Sequence, residues 1–220
     1  DKNIITKQGK CGDYDYTVPF EIVPDEINSN GYKFIINKNG NNALTASAQK
    51  INTGSKDSKI ALLCASLVGD KDAEFVINGR EVKAKVNSCF ERFARWDLYD
   101  FGETAYIKKG KIAYEATHCH KNGKDEIAKS MYFYIVEFDV PKNSTVILPN
   151  DSDIVILAAC SLHDGKATLA APVLALRARH VLWQPCRRRA DGRNAHRCRL
   201  HAVPGRSGSQ SAGAGLSPDQ

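Results

Sequence analysis

The chain has 220 residues, of which 42% are hydrophobic and 25% are charged, and its formal net charge is +6. This composition favours a globular protein with a buried core and excludes a fully disordered chain. No apolar run approaches the roughly 20 residues that a membrane-spanning helix needs, so we expect no membrane partner.

The positive charge is confined to the C-terminal end of the chain. Residues 1–163 contain 21 Lys and Arg against 22 Asp and Glu, a net charge of −1, whereas residues 164–220 contain 10 against 3, a net charge of +7. The basic residues also change from mostly Lys to mostly Arg at this boundary. We therefore predict a folded domain over 1–163 and an Arg-, Gly- and Ser-rich tail over 164–220 that is disordered or non-native.

Strand patterns occupy most of residues 13–162. The run KIALLCASL at 59–67 is almost continuously apolar, which predicts a strand buried on both faces. Residues 73–86 alternate apolar and charged side chains around Asn78 and Gly79, which predicts a β-hairpin with a tight turn. Further strands are predicted at 16–23, 32–36, 104–107, 111–118, 130–140, 145–148 and 153–162. Short strands joined by turn-forming residues predict an all-β fold, an antiparallel β-sandwich.

The seven cysteines have irregular spacing that is typical neither of a disulfide framework nor of a zinc ribbon. Cys64 and Cys160 lie inside apolar runs, as buried thiols do. This usage favours a reducing compartment, and so the cytoplasm, without fixing the location.

Two histidines flank a cysteine in the segment Thr117-His118-Cys119-His120, at the end of a predicted strand. Residues i and i+2 point to one face of a strand, so both imidazoles are expected on one face and Cys119 on the other. A metal site needs one or two more ligands, and the only other histidine of the β region is His163. We therefore assign no metal-binding role to the pair.

The segment RFARWDLYDFGE at 92–103 combines aromatic and acidic side chains. Trp96 and Tyr99 offer flat apolar faces and Asp97 accepts hydrogen bonds, a mixture that suits sugars. The alternative is structural: the aromatic rings close the edge of the sandwich and the acidic groups cap turns. No nucleophile elbow or phosphate-binding loop occurs, and the sequence nominates no catalytic residue.

The order of several segments resembles the C-terminal β-domain of the bacterial family 38 glycoside hydrolases, the α-mannosidases. The segments are Trp96 with Asp97, residues 117–120, Met131–Asp139, Leu148 with Pro149, and residues 156–158. The resemblance implies an accessory β-sandwich portion of an enzyme that hydrolyses α-mannosides with retention. The zinc ion and the Asp nucleophile of that family belong to the N-terminal catalytic half, which this chain lacks.

The resemblance therefore implies no catalytic residue and no cofactor in this chain, with zinc expected in the missing half. Its implied partners are the missing N-terminal catalytic domain and mannose-containing carbohydrate. The candidate substrate-binding residues are Trp96, Asp97, Tyr99, His118 and His120. A domain that docks on a catalytic half is also expected to expose an apolar patch on the order of hundreds of Å².

Two alternatives stay open. The chain can be a stand-alone carbohydrate-binding module that stacks sugars on Trp96 and Tyr99. It can also bind nucleic acid through the basic run Arg187, Arg188 and Arg189, although the tail has few aromatic residues for base stacking. We expect no nucleic-acid partner.

Overall fold

The computed structural model of the chain describes residues 2–7, 15–90, 94–95, 106–107, 110–163 and 166–172. For 94–95, 106–107 and 166–172 it describes the backbone alone. All of them belong to the first of two compact units, Asp1–Pro185. The second unit, Cys186–Gln220, lies outside the described residues.

The described residues form strands and contain no helix. The first nine strands are β1 Ile5–Thr6, β2 Tyr16–Pro19, β3 Glu26–Ser29, β4 Tyr32–Ile35, β5 Leu44–Ser47, β6 Lys50–Asn52, β7 Lys59–Ser66, β8 Lys71–Ile77 and β9 Arg80–Val86. The others are β10 Ala94–Arg95, β11 Tyr106–Ile107, β12 Lys111–Ala116, β13 Cys119–Lys121, β14 Lys124–Glu126, β15 Met131–Asp139, β16 Thr145–Ile147, β17 Asn150–His163 and β18 Lys166–Pro172. In this part of the chain no helix is long and apolar enough to cross a membrane.

A central sheet runs in the order β12–β15–β7–β17–β18, and β5 pairs with the first half of β17. Seven of the eight residues of β7 are buried, which confirms the predicted strand with two apolar faces. Its side chains alternate between two separate hydrophobic cores, Ile60, Leu62 and Cys64 in one and Ala61, Leu63 and Ala65 in the other. The central sheet is therefore covered on both sides, which explains its continuous apolar sequence.

One face of the central sheet is covered by a sheet in the order β6–β16–β8–β9. The predicted hairpin at 73–86 is confirmed as β8 and β9, with Ile77 opposite Arg80. Asn78 and Gly79 have φ angles of 50° and 83°, the left-handed conformation that a two-residue type I′ turn requires. Phe75 of this hairpin packs on Phe138 of β15, with ring centroids 4.8 Å apart.

The other face is covered by the sheet β1–β2–β13–β14 and by the hairpin β3–β4. Their inner side chains join Leu63, Met131 and Phe133 of the central sheet in the second core. The strand β1 pairs in parallel with β2, while the other named pairs are antiparallel. The structure confirms the predicted all-β sandwich, and the small parallel contribution of β1 is a feature that the sequence did not predict.

Two strand boundaries differ from the prediction in ways that affect the site described below. The strand predicted at 16–23 ends at Pro19, because residues 20–22 form a turn in which Ile22 N–H donates to the Pro19 carbonyl, 3.4 Å away. The strand predicted at 111–118 ends at Ala116 and contains a bulge between Ile112 and Tyr114. At the other end of the domain, β18 lies after residue 163, where we predicted that the tail begins, and it pairs with β17.

Candidate functional site

His118 and His120 lie close together at the junction between β12 and β13. Cys119 between them is fully buried and belongs to the hydrophobic core. His120 is 6% exposed and His118 is half-buried, and their ring centroids are 6.3 Å apart. His118 belongs to the bend that joins the two strands rather than to the end of β12.

The hairpin β13–β14 brings an acidic residue to His120. Asn122 and Gly123 form its two-residue turn with φ angles of 51° and 72°, and this turn fixes His120 directly opposite Asp125. The Asp125 Oδ1 atom lies 3.1 Å from His120 Nε2. The segment HKNGKDE contains the turn-forming pair Asn-Gly, which predicts a tight hairpin. The position of Asp125 opposite His120 could therefore have been predicted from the sequence.

The turn after β2 brings a second acidic residue to the same nitrogen. Because β2 pairs with β13, with Thr17 opposite His120, the residues that follow β2 pass beside the histidine. The Glu21 Oε1 atom lies 2.9 Å from His120 Nε2. No local pattern predicts this contact, since Glu21 and His120 are 99 residues apart and Glu21 is exposed in a turn.

The orientation of the His120 ring is fixed from its other side. Nδ1 lies 2.9 Å from the Thr6 carbonyl oxygen, which can only accept, so Nδ1 carries a proton and donates it. The chain before Thr6 is held by Asn42, whose side-chain oxygen accepts from the amides of Ile4 and Ile5 at 2.8 and 2.9 Å. His120 is therefore positioned by β1, β2 and β14 together.

One potential ligand atom from each of Glu21, His118, His120 and Asp125 lies within 4.8 Å of all the others. The sequence provided the two histidines but no third ligand within reach, and the structure brings two carboxylates to them. Such an arrangement can hold a cation or share a proton between the imidazole and the carboxylates.

The thiols of the described cores are separate from this site. Burial raises the pKa of Cys64 and of Cys119 to about 12 and also raises the pKa of Cys160. These three side chains are therefore neutral thiols at neutral pH, and only a thiolate is a good nucleophile.

The surface beside the cluster carries positive charge over aromatic rings. Lys129 Nζ lies 3.9 Å from the centre of the Tyr16 ring and 4.4 Å from that of Phe90. Lys121 donates to the Tyr16 hydroxyl at 3.2 Å, and this contact raises the pKa of Lys121. The cluster thus carries acidic side chains, whereas Lys121 and Lys129 make the surface around Tyr16 basic.

Of the five candidate substrate-binding residues, the structure brings His118 and His120 together. Trp96, Asp97 and Tyr99 lie outside the described residues, so their positions relative to the histidines stay predictions.

Comparison with known proteins assigns the folded part of the chain to a family. The model of the AziU2-like beta-sandwich domain matches residues 2–164, about the extent of the predicted domain. No curated protein matches the chain.

Proposed function

The chain belongs to the AziU2-like β-sandwich domain family, and from this premise we propose that it acts as an accessory β-sandwich domain of a larger enzyme. More specifically, we propose that the chain is the C-terminal portion of an α-mannosidase-like glycoside hydrolase. The catalytic residues and the zinc ion of that enzyme belong to its N-terminal half. The present domain packs against that half and borders the cleft that binds α-mannosides.

The observation that supports this proposal is the placement of two of the resembling segments on either side of one strand. The segment Met131–Asp139 forms β15 and residues 156–158 lie in β17, and both strands pair with β7. Residues 117–120 lead from the central sheet into β13 of the covering sheet. Segments that are far apart in the sequence therefore lie in neighbouring strands of one sandwich.

The described residues expose few large apolar side chains that could form a docking surface for the catalytic half. The large apolar side chains exposed on them are Val68 and Ile127, at 53% and 82%, which do not form the expected apolar patch.

Hydrolysis of an aryl α-mannoside in the presence of zinc tests the proposal. The isolated chain is expected to show no turnover, and the protein encoded by the extended reading frame that contains it is expected to be active. Turnover by the isolated chain that is lost in a variant of one of its own residues contradicts an accessory role. An extended frame without a zinc-dependent catalytic half contradicts the finer proposal and leaves the accessory one.

The proposal also includes contact with mannose-containing carbohydrate through Trp96, Asp97, Tyr99, His118 and His120. Calorimetric titration of the isolated chain with mannose oligosaccharides is expected to give at most weak binding, because the cleft is incomplete without the catalytic half. Binding tighter than about 1 mM that is lost in Trp96→Ala favours the stand-alone carbohydrate-binding module instead.

A further inference from the structure

Four side chains from four elements of the chain converge at the β1–β2–β13–β14 sheet. Glu21 comes from the turn after β2, His118 from the bend before β13, His120 from β13 and Asp125 from β14. These contacts are independent of the accessory role proposed above.

The hydrogen bonds of His120 indicate that the cluster needs a positive charge at its centre. Because Nδ1 donates its proton to the Thr6 carbonyl, a neutral His120 has only a lone pair at Nε2. That lone pair faces two carboxylate oxygens, at 2.9 Å from Glu21 and 3.1 Å from Asp125. A lone pair and two anions repel each other, so a positive charge belongs between them, either a second proton on the ring or a metal ion.

The orientation of the ring suits the metal ion. Histidine ligands in metal sites commonly donate the hydrogen of one ring nitrogen to a backbone carbonyl, which fixes the tautomer and directs the other nitrogen at the metal. His120 makes this contact with Thr6 while its ring is 6% exposed. The nitrogen directed at the cluster is thus the unprotonated one when a metal is bound.

The distances suit a small ion. With ligand bonds of about 2.0–2.1 Å, ligand atoms on a tetrahedral zinc ion lie about 3.3 Å apart. His120 Nε2 lies near that separation from each of the two carboxylate oxygens, and the atom that His118 offers completes a set within 4.8 Å. Glu21 and Asp125 are exposed and His118 is half-buried, so these three side chains can adjust without disturbing the core.

From this geometry we propose that Glu21, His118, His120 and Asp125 form a binding site for a divalent transition-metal ion of the zinc type. Imidazole nitrogens with carboxylate oxygens are ligands that Zn²⁺ takes readily, whereas Ca²⁺ and Mg²⁺ require oxygen ligands. The site joins the turn after β2 to the β13–β14 hairpin, and a bound ion links these elements.

The test titrates the full chain, after treatment with a chelator, with Zn²⁺ alone in a calorimeter. The C-terminal segment has histidines and cysteines of its own, so the decisive quantity is the difference between the wild type and single variants. His118→Asn and Asp125→Asn are the informative changes, because neither side chain is part of the core. Each is expected to remove one binding event or to weaken it at least about 10-fold.

Matched controls replace the same residue types outside the cluster. His163→Asn, on β17, and Asp72→Asn, an exposed residue of β8, are expected to leave Zn²⁺ binding unchanged. Zn²⁺ is also expected to raise the thermal midpoint of the wild type more than that of Asp125→Asn, since an ion that binds only the folded protein stabilises it. Melting of the metal-free variants shows whether each one folds.

Two results overturn the proposal. One is a wild-type chain whose Zn²⁺ titration is indistinguishable from that of folded His118→Asn and Asp125→Asn. The other is a loss of binding in the controls as large as the loss in the cluster variants. Either result leaves the cluster as a polar contact between His120 and the two carboxylates.

Discussion

The Tyr32 hydroxyl donates a hydrogen bond to the Glu137 carboxylate across a distance of 2.7 Å, and this contact fastens β4 of a covering layer to β15 of the central sheet. Lys111 of β12 binds the other carboxylate oxygen of Glu137. Tyr32 is 3% exposed, and its pKa is raised by burial and by this hydrogen bond. One carboxylate thus connects β4 and β12 to β15.

Tyr32→Phe is expected to lower the free energy of unfolding by about 1–2 kcal/mol, because it removes a hydrogen bond to a charged group. Urea denaturation measures the change. Tyr114→Phe is the matched comparison, since the Tyr114 hydroxyl donates to a neutral carbonyl, that of Ile22, at 2.9 Å. Its loss is expected to cost less, and an equal or larger cost contradicts the role given to the Glu137 charge.

The stability contribution of Glu137 is expected to depend on pH. Lys111, and then Tyr32, hold the pKa of this carboxyl below its ordinary value of 4.5. A group whose pKa is lower in the folded state stabilises the fold fully above its unfolded pKa and loses that contribution as the pH falls through the folded pKa.

The measurement compares thermal midpoints of the wild type and Glu137→Gln from about pH 7 down to about pH 3. The difference is expected to be constant near neutrality and to shrink below the ordinary carboxyl pKa of 4.5. A difference that stays the same at both ends of the range means that the charge of Glu137 does not stabilise the fold.

Asn42→Ala is expected to be among the most destabilising single substitutions of a polar residue. Asn42 is 1% exposed, and its side chain accepts from two backbone amides and donates to the Ile5 carbonyl at 2.8 Å. Its removal leaves buried backbone groups without these partners, at a cost of about 2–5 kcal/mol. Chemical denaturation measures the loss.

The exposed Asn39 provides the control for this substitution, and Asn39→Ala is expected to change the stability by less than about 0.5 kcal/mol. If Asn42→Ala is equally mild, β1 is held by its strand pairing rather than by the amide. Because Thr6 follows the segment that Asn42 holds, Asn42→Ala is also expected to weaken Zn²⁺ binding at His120.

Gly110→Ala is expected to destabilise the domain by about 1–3 kcal/mol through a steric clash. A Cβ atom at this position would lie 2.2 Å from Asn87 Nδ2 and 3.1 Å from a ring carbon of Tyr134. Asn87 is 2% exposed and cannot move aside freely. Gly69→Ala, which meets open space but has a φ angle of 61°, is the comparison for backbone strain alone. Thermal melting that ranks Gly69→Ala as the worse change contradicts the clash.

Local patterns in the sequence determined the strands and the tight hairpins. The apolar run of β7 required a strand covered on both sides, and Asn78 with Gly79 fixed the β8–β9 turn, since a type I′ turn needs two residues that accept positive φ. Asn122 with Gly123 fixed His120 opposite Asp125 in the same way. These features follow from the order of neighbouring residues, which sterics and the alternation of strand side chains translate directly into structure.

The tertiary structure alone decided the contacts between elements that are distant in the sequence. Glu21 reaches His120, Tyr32 reaches Glu137, and the Thr6 carbonyl orients the His120 ring, over separations of 99, 105 and 114 residues. Such contacts depend on which sheets pack together and in what register, and many arrangements bury the same apolar surface equally well. The sequence therefore determined that two histidines lie side by side, and only the packing of the layers decided which carboxylates meet them.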